Sequence, residues 1–289
     1  MTSIVKNSPL ATFPQGTHDS WQFHFFSFEA KRSFSVRLWH SNSIHHAWAW
    51  TSEVEGTQTP LVISHLTDCI YRQPDATSTM ATDVNVPGSS FKFTENSPET
   101  HAGELIVVTS DSEVLRISFV PGSVHFWGVP SRPEGVFHFP NLAAKIVYNG
   151  VELNAIGYCK RYFGDYNGPW GYQFIQGIAR DGAKSVWTAD ATFGDDEYNY
   201  FKIYNAVDDT TAQGTPSDTY HNNLRAFWKT SASTSEIDLT EASKVEFFLK
   251  SADQHSKLVE RFGTVEMKKD GLTVWRGYGF SEKCFGTVG

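Results

Sequence analysis

Residues 157–176, which read GYCKRYFGDYNGPWGYQFIQ, combine two aromatic strands with a polar turn between them. The first strand places on one face the side chains of Tyr158, Lys160 and Tyr162. The turn at 164–168 is rich in Gly, Asp and Asn, which favour a change of chain direction. The returning strand then places on one face the side chains of Trp170, Tyr172 and Phe174. This stretch therefore predicts a β-hairpin with aromatic side chains on both strands.

The same alternation, with a period of two residues, continues along the chain in both directions. Trp21, Phe23 and Phe25 share one strand face, and similar runs of β-branched and aromatic residues are separated by Gly, Pro, Asn and Asp. Only residues 252–262, ADQHSKLVERF, fit a helix, with a short apolar stripe. The sequence therefore predicts an all-β fold of antiparallel sheets or barrels, with at most a short helix near the C-terminus.

The length of 289 residues is enough for two domains or for one large all-β domain. The segment WQFHFF at 21–26 resembles WGYQFI at 170–175, and each is followed by a second tryptophan, Trp39 or Trp187. A duplicated barrel would give this echo, and so would chance in so aromatic a chain. We divide the chain into an N-terminal barrel, residues 1–145, and a C-terminal barrel, residues 146–289.

Composition narrows the function classes. The chain has 24 basic and 32 acidic residues, so a general nucleic-acid binder, which needs a basic excess, is disfavoured. No apolar run has the roughly 18–20 residues of a transmembrane segment, and the first residues lack the apolar stretch of a signal peptide. The three cysteines, Cys69, Cys159 and Cys284, indicate reduced thiols in a cytoplasmic protein and not a disulfide scaffold.

Signatures of common cofactors and nucleophiles are missing from the sequence. It has no G-x-G-x-x-G, P-loop, G-x-S-x-G, H-E-x-x-H or C-x-x-C motif. His45 and His46 are adjacent, so on a strand they point to opposite faces and cannot bind one metal ion together. We therefore expect neither a metal site nor a bound cofactor.

Asp165, in the turn of residues 157–176, is the candidate acid–base group. Burial beside aromatic rings raises the pKa of a carboxyl group and suits it to donating a proton. The faces of the rings stabilise a developing cation by roughly 0.5–2 kcal/mol each. This combination suits protonation of an alkene or epoxide and cyclisation of the resulting cation. The alternative is a hairpin in which Asp165 and Asn167 hydrogen-bond only within their own turn.

Three segments together resemble the hydroxyneurosporene-synthase (carotenoid 1,2-hydratase) superfamily. They are DSWQFHFF at 19–26, the G-Y, D-x-N and W-G pattern within 157–171, and G-x-G-x-x-E at 277–282. Relatives in that superfamily include the lipocalin-like pericyclases of fungal natural-product pathways and the survival-factor lipid-binding proteins. The resemblance implies two lipocalin-like antiparallel β-barrels packed side by side, an apolar ligand held in or between them, and no redox cofactor.

The resemblance also implies functional residues. The positions that match the central motif of the hydratases are Tyr158, Asp165, Asn167 and Trp170. The family often has a histidine beside the aspartate, whereas here the neighbours are Gly164 and Tyr166.

We therefore expect a cofactor-independent cyclase, isomerase or hydro-lyase that acts on a small hydrophobic terpenoid or polyene intermediate. The expected catalytic residues are Asp165 and Tyr158, and the expected pocket residues are Tyr162, Asn167, Trp170, Tyr172, Trp21, His24 and Trp39. The shape of the pocket contributes as well, because holding a flexible polyene in a reactive fold removes part of its entropic barrier. Two other classes remain open, a non-catalytic carrier of a lipid or pigment and a carbohydrate-binding β-sandwich with an open aromatic platform.

Overall fold

The computed structural model describes residues 18–41, 44–57, 59–67, 70–72, 81–97, 102–120, 122–128, 135–164, 168–193, 196–205, 210–214, 218–221, 224–250 and 254–288. Within these ranges the chain forms strands, turns and bends, and no helix. None of these residues belongs to a helix that could cross a membrane.

Twelve strands form the first sheet. They are β1 (His18–Ser27), β2 (Arg32–Ser41), β3 (Ile44–Glu53), β4 (Leu61–Leu66), β5 (Ile70–Arg72), β6 (Ala81–Val86), β7 (Ser89–Ser97), β8 (Ala102–Thr109), β9 (Ser112–Val120), β10 (His125–Gly128), β11 (Gly135–Tyr148) and β12 (Val151–Gly164).

Nine strands form the second sheet. They are β13 (Gly168–Ala179), β14 (Lys184–Phe193), β15 (Asp196–Asn205), β16 (Thr210–Gly214), β17 (Asp218–His221), β18 (Arg225–Lys229), β19 (Thr234–Lys250), β20 (Gln254–Lys269) and β21 (Leu272–Val288).

The two sheets repeat one topology. The strand order is β4-β3-β2-β1-β12-β11-β9-β8-β7-β6-β5 in the first sheet, where β10 pairs with β11, and β16-β15-β14-β13-β21-β20-β19-β18-β17 in the second. Each sheet therefore begins with a four-strand meander whose first strand pairs with the last strand of that sheet, β12 or β21. The sequence echo between 21–26 and 170–175 falls on these two equivalent first strands.

Both sheets are antiparallel and curled, one of them nearly into a barrel and the other into half a barrel. The predicted all-β class of curled antiparallel sheets is confirmed. The open β-sandwich that the carbohydrate-binding alternative needed is not what either sheet forms.

The chain divides into two compact units. Unit 1 holds the described residues of 18–30, 34–51 and 61–164, and unit 2 holds those of 31–33, 52–60 and 168–288. Unit 1 thus contains the whole of the β11–β12 hairpin, whereas the sequence-based boundary at 145/146 cuts through β11.

A charged cluster ties residues 31–33 and 52–57 to the rest of unit 2. The hydroxyl of Tyr278 donates to Oε1 of Glu55 at 2.9 Å, and Lys31 Nζ lies 2.7 Å from Glu55 Oε2. Arg180 completes the cluster at 3.3 Å from the same carboxylate. Burial, followed by the hydrogen bond to Glu55, raises the pKa of Tyr278 to about 12, so this phenol stays a donor at neutral pH.

The hairpin predicted for residues 157–176 is wrong. Its first strand, β12, pairs with β1 and β11, and its second strand, β13, pairs with β14 and β21, so the two belong to different sheets. Local alternation predicted both strands correctly. Their partners are distant in sequence, and the two-sided pairing of each strand leaves no edge free for the other.

The helix predicted for residues 252–262 is also wrong. The described part of this segment lies in β20, where Leu258 faces Phe247 of β19 and Cys284 of β21. Pairing on both sides gives the backbone of this segment hydrogen-bond partners in β19 and β21, and Leu258 and Phe262 are fully buried. These tertiary contacts override a helical pattern of little more than two turns.

Two hairpin turns contain the residue types that favour a tight turn. Asn149 and Gly150, at φ of 49° and 79°, join β11 to β12, and Asp270 and Gly271, at 50° and 78°, join β20 to β21. Two consecutive positive φ angles belong to the type I′ turn, which matches the right-handed twist of the paired strands.

Each unit has its own apolar core. In unit 1, phenylalanines dominate, with Phe23, Phe93 and Phe119 within 5.2–6.0 Å of one another. In unit 2, Ile175, Val186, Trp228, Ile237, Leu239, Val265 and Met267 pack together on one face of the second sheet.

The glycines of the G-x-G-x-x-E segment let β21 approach its neighbours closely. A Cβ added at Gly277 would lie 1.8 Å from the carbonyl oxygen of Ile178, and one at Gly279 would lie 2.1 Å from Val265 Cγ1. The motif is therefore explained by packing between β21 and the strands beside it.

We expect Gly277→Ala to lower the free energy of unfolding by about 3 kcal/mol, the upper end of what overpacking costs, because the clash is with backbone. Urea denaturation followed by tryptophan fluorescence measures this change. Gly171→Ala is the matched control on β13, because its added Cβ would meet nothing closer than 3.6 Å. Equal unfolding midpoints for the two variants would contradict the packing argument.

Candidate functional site

Strand β1 is buried on both of its faces. Its register with β12 places His24 opposite Tyr158 and Gln22 opposite Lys160, so these residues share one face. The intervening residues of β1, Trp21 among them, join the apolar core on the other face.

Buried polar and aromatic side chains from five strands make up the first of these faces, which we call the polar face of unit 1. Its members are Ser20, Gln22, His24, Arg37, Trp39, Trp48, His138, Tyr158 and Lys160. None of them is more than 7% exposed. Burying polar groups costs free energy that burying apolar groups does not. A buried cluster of this kind therefore indicates a functional site.

Tyr158 is at the centre of the polar face, between two histidines. Its hydroxyl is hydrogen-bonded to Nδ1 of His138. The His24 ring lies parallel to the Tyr158 ring, with centroids 6.3 Å apart and an angle of 28°. A phenol hydrogen-bonded to an imidazole can give up a proton and recover it, which is the requirement for a general acid or base.

The electrostatics of the polar face favour a neutral His24 and a negatively charged ligand atom. Burial, and then the charges of Lys160 and Arg37, lower the pKa of His24 well below 6.5. Lys160 stands opposite both Gln22 and His138 in the sheet, and is therefore beside the hydrogen-bonded pair. A buried cation beside a phenol stabilises negative charge that develops on the phenol oxygen, and Arg37 adds a second positive charge on the same face.

Arg37 is held in place by a hydroxyl and two indole rings. Its Nε donates to Ser20 Oγ at 3.2 Å. Its guanidinium carbon lies 4.4 Å from the ring centroid of Trp39 and 5.6 Å from that of Trp48. The two indoles thus form an apolar wall beside a fixed positive charge.

The buried histidines of unit 1 predict a loss of stability in mild acid. Burial is the main cause that lowers the pKa of His18 and His24 well below 6.5 and that of His40 to about 4. Below pH 6.5 the unfolded chain therefore binds protons that the folded chain does not. The free energy of unfolding falls with decreasing pH, by about 1.4 kcal/mol per pH unit for each fully buried histidine, until the folded pKa is reached.

This prediction is tested by urea denaturation between pH 7 and pH 5. His24→Gln is expected to reduce the slope of unfolding free energy against pH by about one proton. His255→Gln, at an exposed position, is the matched control for the replacement of an imidazole by an amide. A slope in His24→Gln equal to that of the unaltered chain would show that His24 is charged in the folded state.

On the other face of β1 an ion pair lies within the apolar core. Arg161 donates from Nε and Nη2 to the two carboxylate oxygens of Asp19, both at 2.8 Å, and both residues are 1% exposed. The guanidinium carbon lies 5.1 Å from the ring centroid of Trp21. Because Asp19 lies on β1 and Arg161 on β12, the pair joins the two strands that carry His24 and Tyr158.

Trp170 and Tyr172 lie in unit 2, on β13. Their rings stack at 6.0 Å and 16°. Trp170 lines a cleft of about 400 Å³ together with Phe248 and Phe285, and Tyr172 lines a cleft of about 360 Å³. The hydroxyl of Tyr172 donates to Oε1 of Glu282, a fully buried carboxylate.

The residues expected from sequence thus fall into three groups. Tyr158, His24 and Trp39 belong to the polar face of unit 1, and Tyr162 is beside it, with its ring 4.9 Å from that of His18. Trp21 is in the core face, packed on Phe93 at 4.8 Å. Trp170 and Tyr172 form the stacked pair of unit 2. Asp165 and Asn167 lie outside the described residues.

Sequence reasoning missed His138, Lys160 and Glu282 as site residues. Lys160 could have been identified from the sequence, because it lies between Tyr158 and Tyr162 on the same strand face. Glu282 could also have been identified, as the last residue of G-x-G-x-x-E. No feature of the sequence identified His138, because only the pairing of β11 with β12 brings it to Tyr158. Among the described residues there is no group of three or more His, Cys, Asp or Glu side chains that could hold a metal ion.

Comparison with known proteins identifies the fold. The chain matches no family model, and no curated protein matches its sequence. Among solved structures it is similar to CghA in complex with Sch210972, with a TM-score of 0.60, 10% identity, and coverage of 98% of this chain and 92% of that one.

Two further structures have the same fold. Kievitone hydratase from Nectria haematococca has a TM-score of 0.57 and 15% identity, over 96% of this chain and 94% of its own. An AttH protein from Nitrosomonas europaea has a TM-score of 0.56 and 14% identity, over 96% and 97%. The fold of curled antiparallel β-sheets that the resemblance implied is thereby confirmed.

Proposed function

We propose that the protein is a cyclase, isomerase or hydratase that acts on a small hydrophobic natural-product intermediate, a terpenoid or a polyene, without a redox cofactor. Acid–base chemistry takes place at the polar face of unit 1, through Tyr158 and His138, and Asp165 acts as general acid. At this face, His24, Trp39 and Tyr162 are proposed to contact the substrate, whereas Trp21 is not, because it packs in the apolar core on the other face of β1. Asn167, Trp170 and Tyr172 remain proposed ligand-contacting residues of unit 2. A nucleic acid is not the partner.

The hydrogen bond between His138 and Tyr158 carries this proposal. Both residues are fully buried, and two cationic side chains lie on the same face. In the proposed step the phenol O–H bond breaks as an oxygen of the substrate, in a carbonyl or an epoxide, takes the proton. The negative charge left on Tyr158 is stabilised by Lys160. The proton then lost by the reaction intermediate, or by the water that adds to it, is taken by His138 and passed to the phenolate, which restores both residues.

The similar structures support a small-molecule reaction. Kievitone hydratase is named for a hydration, and CghA was crystallised with the small molecule Sch210972. We also propose a cytoplasmic location, with which the buried thiols of Cys159 and Cys284 are compatible. Burial raises the pKa of Cys159 well above its usual value, which keeps that thiol protonated and unreactive.

Native mass spectrometry of the protein purified from its own host tests the proposal first, followed by extraction and identification of any bound molecule. The proposal predicts a stoichiometric terpenoid or polyene. Incubating the apo-protein with metabolite extract from a host strain that lacks the gene should then convert the accumulated precursor into product. Recovery of an empty protein that converts nothing in such an extract would reject the proposal.

Asp165→Asn separates catalysis from transport. An acid catalyst should lose turnover by about 10²–10⁴-fold while it still binds the extracted molecule. A non-catalytic carrier would bind the molecule with unchanged affinity and would release it chemically unaltered from both proteins. Unchanged turnover in Asp165→Asn would leave the acid–base role to Tyr158 and His138.

A further inference from the structure

The cleft of about 400 Å³ in unit 2 is bordered by aromatic side chains that are exposed. Phe248 of β19 is 66% exposed and Phe285 of β21 is 47% exposed, and Trp170 of β13 lines the same cleft. Large apolar residues are usual on a protein surface when they are scattered singly. Two of them on one cleft form an apolar surface, which indicates a place where a ligand binds.

The strand register defines how the two phenylalanines are arranged. Lys257 of β20 stands opposite Phe248 on one side and opposite Phe285 on the other, so the three side chains lie in one row on one face of the sheet. Adjacent strands are about 4.8 Å apart, which puts the two phenylalanines roughly 10 Å apart. A molecule that contacts both rings therefore needs a similar length, as in two fused aromatic rings with a short side chain.

A glycine leaves space beside Phe285 on the side of β13. The residue opposite Phe285 on that strand is Gly171, which has no side chain to cover the ring. Even a Cβ added at Gly171 would lie 3.6 Å from Phe285 Cβ, an ordinary van der Waals contact. Phe285 and Gly171 also border the neighbouring cleft of about 360 Å³. A flat ligand can therefore lie against the ring of Phe285.

The charged groups of the larger cleft favour an anion. Lys250 and Lys257 line it, and no acidic side chain is among the described residues that do so. Lys250 lies two positions beyond Phe248 on β19, and hence on the same face. The chain as a whole has a net charge of −8, so a cleft lined by lysines is a local reversal of charge. Such a cleft attracts negatively charged ligands.

The two lysines differ in the partners that they already have. Lys257 Nζ lies 2.8 Å from Oε2 of Glu246 and 5.4 Å from the ring centroid of Phe248. Lys244 Nζ lies 3.3 Å from the other oxygen of Glu246, so one carboxylate is shared by two ammonium groups. Lys250 is exposed and has no ion-pair partner within the described part of the chain. Lys250 is therefore the cation that is available to a ligand.

We propose that this cleft binds an organic carboxylate with a flat, two-ring aromatic framework. The framework packs on Phe248, Phe285 and Trp170, and the carboxylate accepts a hydrogen bond from Nζ of Lys250, with Lys257 as a second positive charge. A neutral amide of the same shape keeps the aromatic contacts but loses the ionic one, and an ammonium group is repelled by both lysines. The inference rests on the proposed ligand-contacting role of Trp170 in unit 2, and not on the acid–base chemistry proposed for unit 1.

Binding of four small probes to the full-length protein tests this site. The probes are 2-naphthylacetate, the neutral 2-naphthylacetamide, the cationic 2-naphthylethylamine, and acetate, which lacks the rings. Isothermal titration calorimetry at about 0.01 M salt is expected to show that 2-naphthylacetate binds at least about threefold more tightly than the amide, and that the amine and acetate bind most weakly. Raising the salt to about 1 M should remove most of the preference for the carboxylate over the amide, because exposed charges are then screened. No binding of 2-naphthylacetate, equal affinities for the carboxylate and the amide at low salt, or tightest binding of the amine would overturn the proposal.

Two site variants, each with a control, identify the residues. Lys250→Gln should remove most of the preference for the carboxylate, whereas Lys184→Gln, at an exposed position of β14 outside the cleft, should keep it. Phe285→Ala should weaken the binding of 2-naphthylacetate and its amide alike, by about three- to tenfold. Leu272→Ala, which truncates a 73% exposed side chain at the other end of β21, should change neither affinity. All four positions are exposed, so the variants should fold.

Two outcomes with these proteins would reject the site. If Lys250→Gln and Phe285→Ala both bind the probes as the unaltered protein does, 2-naphthylacetate binds elsewhere. A second copy of the chain is the competing occupant of the cleft. Dimers in native mass spectrometry that Phe248→Ala dissociates, in a protein that binds no probe, would assign the surface to self-association. None of these measurements requires turnover, so a failure here leaves the tests of Asp165 and Tyr158 unaffected.

Discussion

Tyr158→Phe is expected to lower kcat by about 10²–10⁴-fold and to leave KM within a few-fold of its original value. The substitution removes only the hydroxyl that is hydrogen-bonded to His138, while the ring keeps its position 6.3 Å from that of His24. The loss therefore reports on proton transfer and not on the shape of the face. Steady-state kinetics with the precursor identified from the host, with product quantified by mass spectrometry, measures the effect.

Two further variants make this result specific. Tyr148→Phe is the matched control, because Tyr148 lies on β11 of the same unit and packs on Phe34, 5.4 Å between centroids, away from the polar face. It should retain full turnover. His138→Gln should lose turnover to an extent similar to Tyr158→Phe, and the double variant should lose little more, because the two residues act as one unit. A kcat for Tyr158→Phe within threefold of the original would remove the phenol from the mechanism.

Most of the fold could be predicted because its signals are local. Alternation with a period of two identified the strands, and the Asn-Gly pair at 149–150 and the Asp-Gly pair at 270–271 are typical of the hairpin turns that they form. The predictions were wrong where the pairing of strands distant in sequence determines the structure. Residues 254–262 are a strand because β19 and β21 flank them, and β12 and β13 enter different sheets although only a few residues separate them. No local pattern carries that information.

The candidate site likewise contains residues that the local sequence predicts and residues that only strand pairing reveals. Tyr158 and His24 could be proposed from the aromatic strands on which they lie, although only the structure shows that they stand opposite each other. The partner that gives Tyr158 its chemistry, His138, comes from β11 and is found only when β11 and β12 pair.

Breaking the buried ion pair of Asp19 and Arg161 is expected to have the largest effect on stability. Asp19→Asn or Arg161→Met alone leaves the other charge in the apolar core, which costs about 3–5 kcal/mol. The pair Lys145–Glu152 is the matched control, because it has the same 2.8 Å separation and also involves β12, yet its side chains are 66% and 60% exposed. Glu152→Gln should change the free energy of unfolding by less than about 1 kcal/mol. Urea denaturation compares the three variants at one pH.

The double variant Asp19→Leu/Arg161→Met then tests whether the ion pair positions the two strands in addition to stabilising the fold. Replacing a buried pair by apolar residues of similar volume is often neutral or stabilising, so the double variant should regain most of the stability that each single variant loses. Asp19 lies on β1 and Arg161 on β12, and the bidentate hydrogen bonds between them hold those strands with His24 opposite Tyr158. If the pair serves this placement, the folded double variant should show reduced turnover despite its restored stability. Full turnover together with restored stability would mean that strand pairing alone positions the polar face of unit 1.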